Sequence, residues 1–455
     1  MEEATGGATK RMNDNAVIVH TVAQMPSPSS QAEVASLFSA RRLRFAAVLF
    51  CAALATVMTL QVLFGISPFG VSSAPHYVYQ AQSILNGRWD LTQASTLHDT
   101  IHLHGKTYMV YPPFPALLML PFVALFGAHT SDIFITTCIS ALNLPLMYVL
   151  FEQARMNKLT ARSSRDNLII SLFLYFGSIN LYLSLGGEVW FTAQIICLTG
   201  GLAALLLALR RQYAWSALAL SCAFLSRATM ALGFPLILYL AWQDMGSSDG
   251  ALEHFVRSLL RRKPDWQAIP WRRLIPPASV MLFAVAMYLL RNALVFGSPL
   301  ESGFGIQDQQ DYPQITHGMY SLAYLPRNFI VNFLDIPQVT FDSAFALSPH
   351  LNLVGDGIGI SVFVTTPLFL FLFARQKRMS KLQVALYATT ALIVLETLLF
   401  AGTGWYQFGA RYLFDAYPYA FLLLVLSQRP LDWRFIALGI FGLFINPAGA
   451  RQFWT

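Results

Sequence analysis

The chain has 455 residues, 55% of them hydrophobic and only 12% charged, whereas a soluble domain carries about twice that charged fraction. This excludes an ordinary soluble enzyme, and the long, uniformly apolar blocks exclude the alternating strands of a membrane barrel. The formal net charge of +7 comes from short basic clusters between apolar runs, a pattern that orients a chain in a membrane rather than binding nucleic acid. The expected fold class is therefore an all-α polytopic membrane protein of bundled helices.

Residues 1–40 are polar and rich in Ser, Gln and Ala, with Pro26 and Pro28, and are expected to be a disordered cytoplasmic tail. Arg41, Arg42 and Arg44 then precede the charge-free run Phe45–Ile66. Basic residues ahead of the first span put the N-terminus inside and the loop 67–111 outside. Within that loop, Thr100–His104 and Thr107–Tyr111 alternate around Gly105-Lys106, which predicts a hairpin turning at those two residues. Pro112-Pro113 ends it, and Pro115 can open a helix whose first amides need no partner. That helix, Pro113–Gly127, is about 15 residues or ~22 Å, short of a full crossing.

Further along, Ile133–Phe151, Asn167–Gly187 and Val189–Leu209 read as spans, with Glu188 at the tight outer turn between the last two. Tyr213–Trp242 has basic flanks on both sides but is only ~45 Å long as one helix. Two short helices meeting at Ser226-Arg227 resolve this, with Arg227 at the outward tip. The basic loop carrying Arg257, Arg261, Arg262, Lys263, Arg272 and Arg273 lies inside, and Ala278–Leu300 goes out with Arg291 near its end. A second long outer loop covers 301–356. Gly357–Ala374, Leu382–Ala401, Tyr412–Leu426 and Phe435–Pro447 follow as spans, giving about eleven crossings. The membrane domain thus covers 41–447, and 448–455 is a short tail.

The inner loops are short and basic, without a glycine-rich phosphate cradle, so the chemistry is expected on the outer face. Cys51, Cys138, Cys197 and Cys222 all lie in apolar runs and read as small buried hydrophobes. His98, His102 and His104 read as solvated loop residues, because a strand separates the first two and leaves a metal no shared face. No divalent metal is called for by any spacing. Arg227 and Arg411 are costly charges at membrane depth and thus functional candidates, the competing reading being an ion pair with Asp415 or Glu188. Glu396 lies inside a span without an evident partner.

Several segments resemble GT-C membrane glycosyltransferases, the polyprenyl-phosphate-sugar enzymes that include the protein O-mannosyltransferase and aminoarabinose transferase groups. They are Gly87-Arg88-Trp89-Asp90-Leu91, His98-Asp99 and Gly105–Leu118 in the first outer loop, Leu225-Ser226-Arg227, Arg291-Asn292 through Gly303, and Gly404–Asp415. The resemblance implies transfer of a sugar from a polyprenyl-phosphate carrier to a glycan, lipid or protein acceptor on the non-cytoplasmic face, as part of cell-envelope glycan biosynthesis. It implies a plasma-membrane location, bacterial and inner, with the active face periplasmic. A first-loop carboxylate would take the acceptor proton: Asp99, with Asp90 and His76 as alternatives, because Ser72-Ser73-Ala74-Pro75-His76-Tyr77 lacks the acid the family places after its first span. Arg227 and Arg411 would bind the phosphate, and Glu188, Tyr111, Trp405 and Tyr412 would line the substrate site. The lipid-linked donor is a co-substrate, and no other cofactor is implied. The competing class is a transporter or flippase of a lipid-linked or small polar substrate.

Overall fold

A computed structural model describes residues 40–91, 98–243, 258, 261, 265–311, 315–340, 350–354, 359–376, 378–404 and 406–455. The expected tail at residues 1–39, Trp405, Arg257, Arg262, Lys263 and parts of the second outer loop lie outside these residues.

Among the described residues, six helices are long and apolar enough to cross a membrane. They are α1 (Ala40–Leu63), α4 (Asp132–Met156), α6 (Val189–Leu209), α9 (Trp271–Phe296), α11 (Lys381–Leu399) and α13 (Trp433–Trp454). Between them stand α2 (His76–Leu85), α3 (Phe114–Phe126), α5 (Ser164–Phe176), α7 (Tyr213–Phe224), α8 (Phe234–Gln243), α10 (Phe304–Asp311) and α12 (Tyr417–Leu426). The centre of the bundle is α6, with 78% of its apolar window buried against 22% for both α1 and α9. It packs on α4 and α7, while α1 and α9 turn apolar faces outward to lipid.

The count of about eleven full crossings gives way to six long helices and several broken ones. The run 167–187 is not one helix: α5 stops at Phe176, and only Asn180–Leu183 resumes. Ser178 donates to the Leu174 carbonyl at 2.6 Å and Asn180 to that of Tyr175 at 3.1 Å, so side chains satisfy the backbone freed at the break. Gly357–Ala374 likewise resolves into short turns, Val362–Thr365 and Pro367–Phe373, because Pro367 cannot extend a helix begun before it. The two short helices expected across 213–242 are present as α7 and α8, joined through Arg227 and a 3-10 turn at Ala228–Gly233. The segment 448–455 is no tail, since α13 continues to Trp454, whose ring packs 5.5 Å from that of Phe191.

In the first outer loop, β1 (Thr100–Leu103) pairs with β2 (Lys106–Met109) in antiparallel register, Leu103 opposite Lys106. The hairpin turns one residue earlier than its alternation suggests, at His104-Gly105. Both have positive φ (50° and 72°), as the tight primed turn requires, and Gly105 meets that requirement without a Cβ penalty. Leu91 bridges to Thr107, adding a third short edge.

Ser131 caps α4 by accepting from Phe134 at 3.0 Å, and the following Asp132 lies against the 186–188 turn. A Cβ on Gly187 would sit 2.4 Å from the Ile133 amide nitrogen and 2.7 Å from the Asp132 carbonyl carbon. Both are backbone atoms and cannot swing aside. Gly187→Ala is therefore expected to cost about 1–3 kcal/mol, read as a lower Tm and reduced yield of the detergent-solubilised protein. An unchanged Tm would show that the turn has room to shift.

Candidate active site

Asp99 is the point where four chain segments meet. It has a left-handed backbone (φ 58°), which an Asp tolerates better than most residues. Its Oδ2 accepts from the Tyr111 hydroxyl at 2.8 Å and from the Trp190 indole N–H at 2.7 Å, and its Oδ1 accepts from the Gln307 amide at 2.7 Å. Each donor comes from a different place. Tyr111 ends the hairpin, Trp190 opens α6, and Gln307 lies on α10 in the second outer loop. Gln310 on the same helix clasps the hairpin backbone, its side chain accepting from the His102 amide at 3.1 Å and donating to the His102 carbonyl at 3.0 Å. Phe304, at the start of α10, packs edge-on to the Tyr111 ring at 5.9 Å. Three neutral donors from separate segments thus orient the carboxylate.

Behind this carboxylate lies an aromatic and cationic wall. Arg411 is only 5% exposed; its Nε and Nη2 donate to the Gly404 carbonyl at 2.9 and 2.6 Å, while its Nη1 has no hydrogen-bond partner among the described residues. Its guanidinium carbon lies 5.8 Å from the ring centroids of Trp190 and Phe191 and 5.3 Å from that of Tyr412. Tyr412 is also approached by Arg227, at 5.3 Å, so two guanidiniums flank one phenol ring. Arg227 differs from Arg411 in having a carboxylate. Its Nε bonds both oxygens of Asp415 at 2.9 and 2.8 Å, and the Thr229 hydroxyl bonds the same carboxylate. The ion pair with Asp415 that the sequence left open is formed.

The remaining residues singled out by sequence are distributed unevenly around this centre. His76 is buried with its Nε2 2.6 Å from the His98 carbonyl oxygen, and burial holds its pKa below the usual imidazole value, so it is neutral at physiological pH. It fixes the backbone next to Asp99. Asp90 points elsewhere, paired with Arg88 and with Lys106 at 3.8 Å; the hydrogen bond from Arg88 holds its carboxyl below the usual range. Tyr111 stays protonated, because burial drives its hydroxyl well above the usual phenol value. Glu396, without a partner in the sequence reading, accepts from the Tyr320 hydroxyl at 2.7 Å.

Glu188 belongs to a second acidic place beside the first span. The loop 72–77, which lacks an acid of its own, receives two from elsewhere. Ser72 donates through its backbone N–H and hydroxyl to Asp132 at 2.8 and 2.5 Å, and Ser73 donates to Glu188 at 3.3 Å. The Oε2 of Glu188 is buried without a hydrogen-bond partner among the described residues.

Three residues escaped the sequence reading. Gln307 carries no charge and sits in an unremarkable stretch of the second loop, so nothing flagged it. Trp190, at the start of a span, has the same sequence signature as an ordinary interfacial aromatic. Arg291 was noted only as part of a segment; in the structure it donates to the Met109 carbonyl and to that of Tyr111 at 3.4 Å, with the Phe296 ring 4.5 Å from its guanidinium carbon. An arginine at the end of a span facing a loop rich in carbonyls was the available signal.

No protein-family model and no curated protein matches the chain. Among solved structures, it is similar to ArnT from Cupriavidus metallidurans bound to undecaprenyl phosphate, with 16% identity, a TM-score of 0.49, and coverage of 87% of this chain and 62% of that one. It is also similar to the oligosaccharyltransferase AglB from Archaeoglobus fulgidus in complex with an inhibitory peptide and a dolichol-phosphate, at 13% identity and TM-score 0.47, covering 91% and 56% of the two chains. The apo form of the Archaeoglobus fulgidus oligosaccharyltransferase gives 15% identity and a TM-score of 0.45, with 89% and 56% covered. The chain spans roughly three fifths of the length of these structures.

The buried position of Glu188 has a measurable consequence. Burial, with some help from the Asp132 charge, raises its carboxyl to about 7. Between its unfolded value and about pH 7 the folded protein holds a proton that the unfolded chain has lost. Stability is therefore expected to fall as pH rises through that window, by up to about 3 kcal/mol, and to level off above it. Glu188→Gln, which mimics the protonated acid, should match the wild type near pH 4 and exceed it in Tm above pH 7. Parallel Tm curves for the two proteins would show that Glu188 titrates normally.

Proposed function

We propose that this protein is a GT-C-type membrane glycosyltransferase, moving a sugar from a polyprenyl-phosphate carrier to an acceptor on the non-cytoplasmic face. The observation that carries the reading is Arg411. A guanidinium almost wholly buried, with one nitrogen unpartnered and no carboxylate beside it among the described residues, suits an anionic ligand. A phosphate bearing the charge of a leaving group is one. The segments that resemble the family, His98-Asp99, Gly105–Leu118, Leu225–Arg227 and Gly404–Asp415, are those that contribute Asp99, Tyr111, Arg227 and Arg411.

In this reading Asp99 accepts the proton of the acceptor hydroxyl while the hydroxyl oxygen attacks the anomeric carbon. The bond from that carbon to the phosphate oxygen breaks, and the polyprenyl phosphate departs with the electron pair. Arg411, with Arg227 also against the Tyr412 ring, stabilises the charge on the leaving phosphate. Tyr111 and Trp190 orient the carboxylate; Tyr412, Glu188 and Trp405 line the substrate.

Nanodisc-embedded protein supplied with radiolabelled polyprenyl-phosphate sugars and a panel of acceptors provides the test. Asp99→Asn is expected to lower transfer by about 10²–10⁴-fold with donor binding retained. Arg411→Gln should lower transfer by about 10²-fold or more and weaken polyprenyl-phosphate binding, with Arg411→Lys intermediate. Full activity in Asp99→Asn would remove that residue from the base role. Uptake of donor into vesicles without covalent transfer would replace the glycosyltransferase by a transporter.

A further inference from the structure

The link between the hairpin and α3 passes through Tyr111. β2 ends at Met109, and the two residues after Tyr111, Pro112 and Pro113, have no N–H to donate, so a backbone ladder cannot carry the chain into α3. Tyr111 still needs a fixed backbone. Its hydroxyl donates to Asp99 at 2.8 Å and accepts from the Trp190 indole N–H at 2.7 Å.

The group that fixes this stretch comes from a distant span. Arg291 lies near the C-terminal end of α9 and is 4% exposed. Its Nη2 donates to the Met109 carbonyl and, at 3.4 Å, to that of Tyr111, so the two hydrogens of one nitrogen bracket Val110. The guanidinium is itself held on two sides. Its Nη1 donates to Asn292 at 3.2 Å, and Asn292 in turn donates to the Pro299 carbonyl at 3.3 Å. The Phe296 ring lies 4.5 Å from its central carbon. Val110 is 1% exposed, and a Cβ on Gly303 would come 2.7 Å from Phe296 and 3.1 Å from Val110. The stretch is therefore boxed in on that side as well.

A charge buried at the end of a span is costly, and no carboxylate pairs with Arg291 among the described residues. Among these residues its hydrogen bonds outside α9 go to Met109 and Tyr111, so what it stabilises is the conformation of their backbone. A planar, pre-organised fork holds two fixed carbonyls better than an ammonium on a flexible stem. We infer that Arg291 is a positioning residue for Asp99, acting through the backbone of Tyr111. Without the guanidinium two carbonyls lose their donor and the 109–111 backbone shifts. A displacement of about 1 Å at the Tyr111 hydroxyl is enough to lower turnover about 10²-fold. The effect on rate rests on Asp99 being the base of the proposed transfer; the effect on Tyr111 does not.

Two measurements on the full-length protein in nanodiscs test this. In the first, 3-fluorotyrosine placed at position 111 reports the setting of the ring by fluorine NMR. A single resonance displaced from that of the denatured protein is expected for the wild type, and Arg291→Gln is expected to shift or broaden it. An unchanged resonance would overturn the positioning role, whether or not transfer occurs. In the second, Arg291→Gln is expected to lower kcat about 10²-fold with little change in the KM for donor, and Arg291→Lys by a smaller factor. In a Tyr111→Phe background, where the hydroxyl is already absent, Arg291→Gln should add little further loss. Fully additive losses in that cycle would show that Arg291 acts on the fold in general, and would overturn the link to Tyr111. Should Arg291→Gln fail to fold, Arg291→Lys carries both measurements. Absence of transfer in the wild type would count against the glycosyltransferase reading alone, and the fluorine spectra would still decide the role of Arg291.

Discussion

A buried guanidinium without a carboxylate is the constraint to which the outer end of this molecule is fitted. Among the described residues no carboxylate pairs with Arg411, and its charge is met by the Gly404 carbonyl and by the rings of Trp190, Phe191 and Tyr412. Those rings must be rigid for the arrangement to hold. Trp190 and Phe191 are held because they open the most buried helix among the six long ones, and Tyr412 because Arg227, fixed by Asp415, also packs on its ring. The broken helices serve the same end: α7 and α8 stop short so that Arg227 sits at their junction, and α12 starts after the turn that carries Arg411. Removing any one of these supports leaves an uncompensated charge in an apolar setting, which is costly.

The two arginines are unlike despite their shared ring. Arg227 is a member of a closed pair and gives the wall its geometry; Arg411 has hydrogen-bonding capacity left over. Similarly, three of the acids near this centre differ by environment. Asp90 is salt-bridged at the edge of the hairpin, Asp99 is held by neutral donors, and Glu188 is buried against a second carboxylate. One residue type thus has three chemical characters within one face, set by what surrounds each.

Much of this was legible in the sequence because charge in an apolar chain stands out. The membrane class, the positions of α4, α6 and α11, the paired short helices at 213–242 and the hairpin all follow from hydropathy, basic loops and alternation. Arg227, Arg411 and Asp99 were conspicuous for the same reason. What could not be read were contacts made by neutral side chains. The roles of Gln307 and Trp190 depend on which loops meet, and hydropathy says nothing about that. Helix breaks at Gly177 and Pro367 were hidden because the apolar run continues through them. The replacement of a missing acid in 72–77 by Asp132 and Glu188 was invisible too, since it requires three distant segments to converge.

The reach of the Asp99 clamp also has a bearing on how the protein is made. Tyr111 and Trp190 emerge from the ribosome well before Gln307, which is 208 residues beyond Asp99. At ordinary synthesis rates the interval between Trp190 and Gln307 is on the order of ten seconds. Through that interval the carboxylate has two of its three donors, and α10, which clasps the hairpin through Gln310, does not yet exist. The Asp99 centre is therefore completed only after α10 has been made, so order of translation becomes order of assembly.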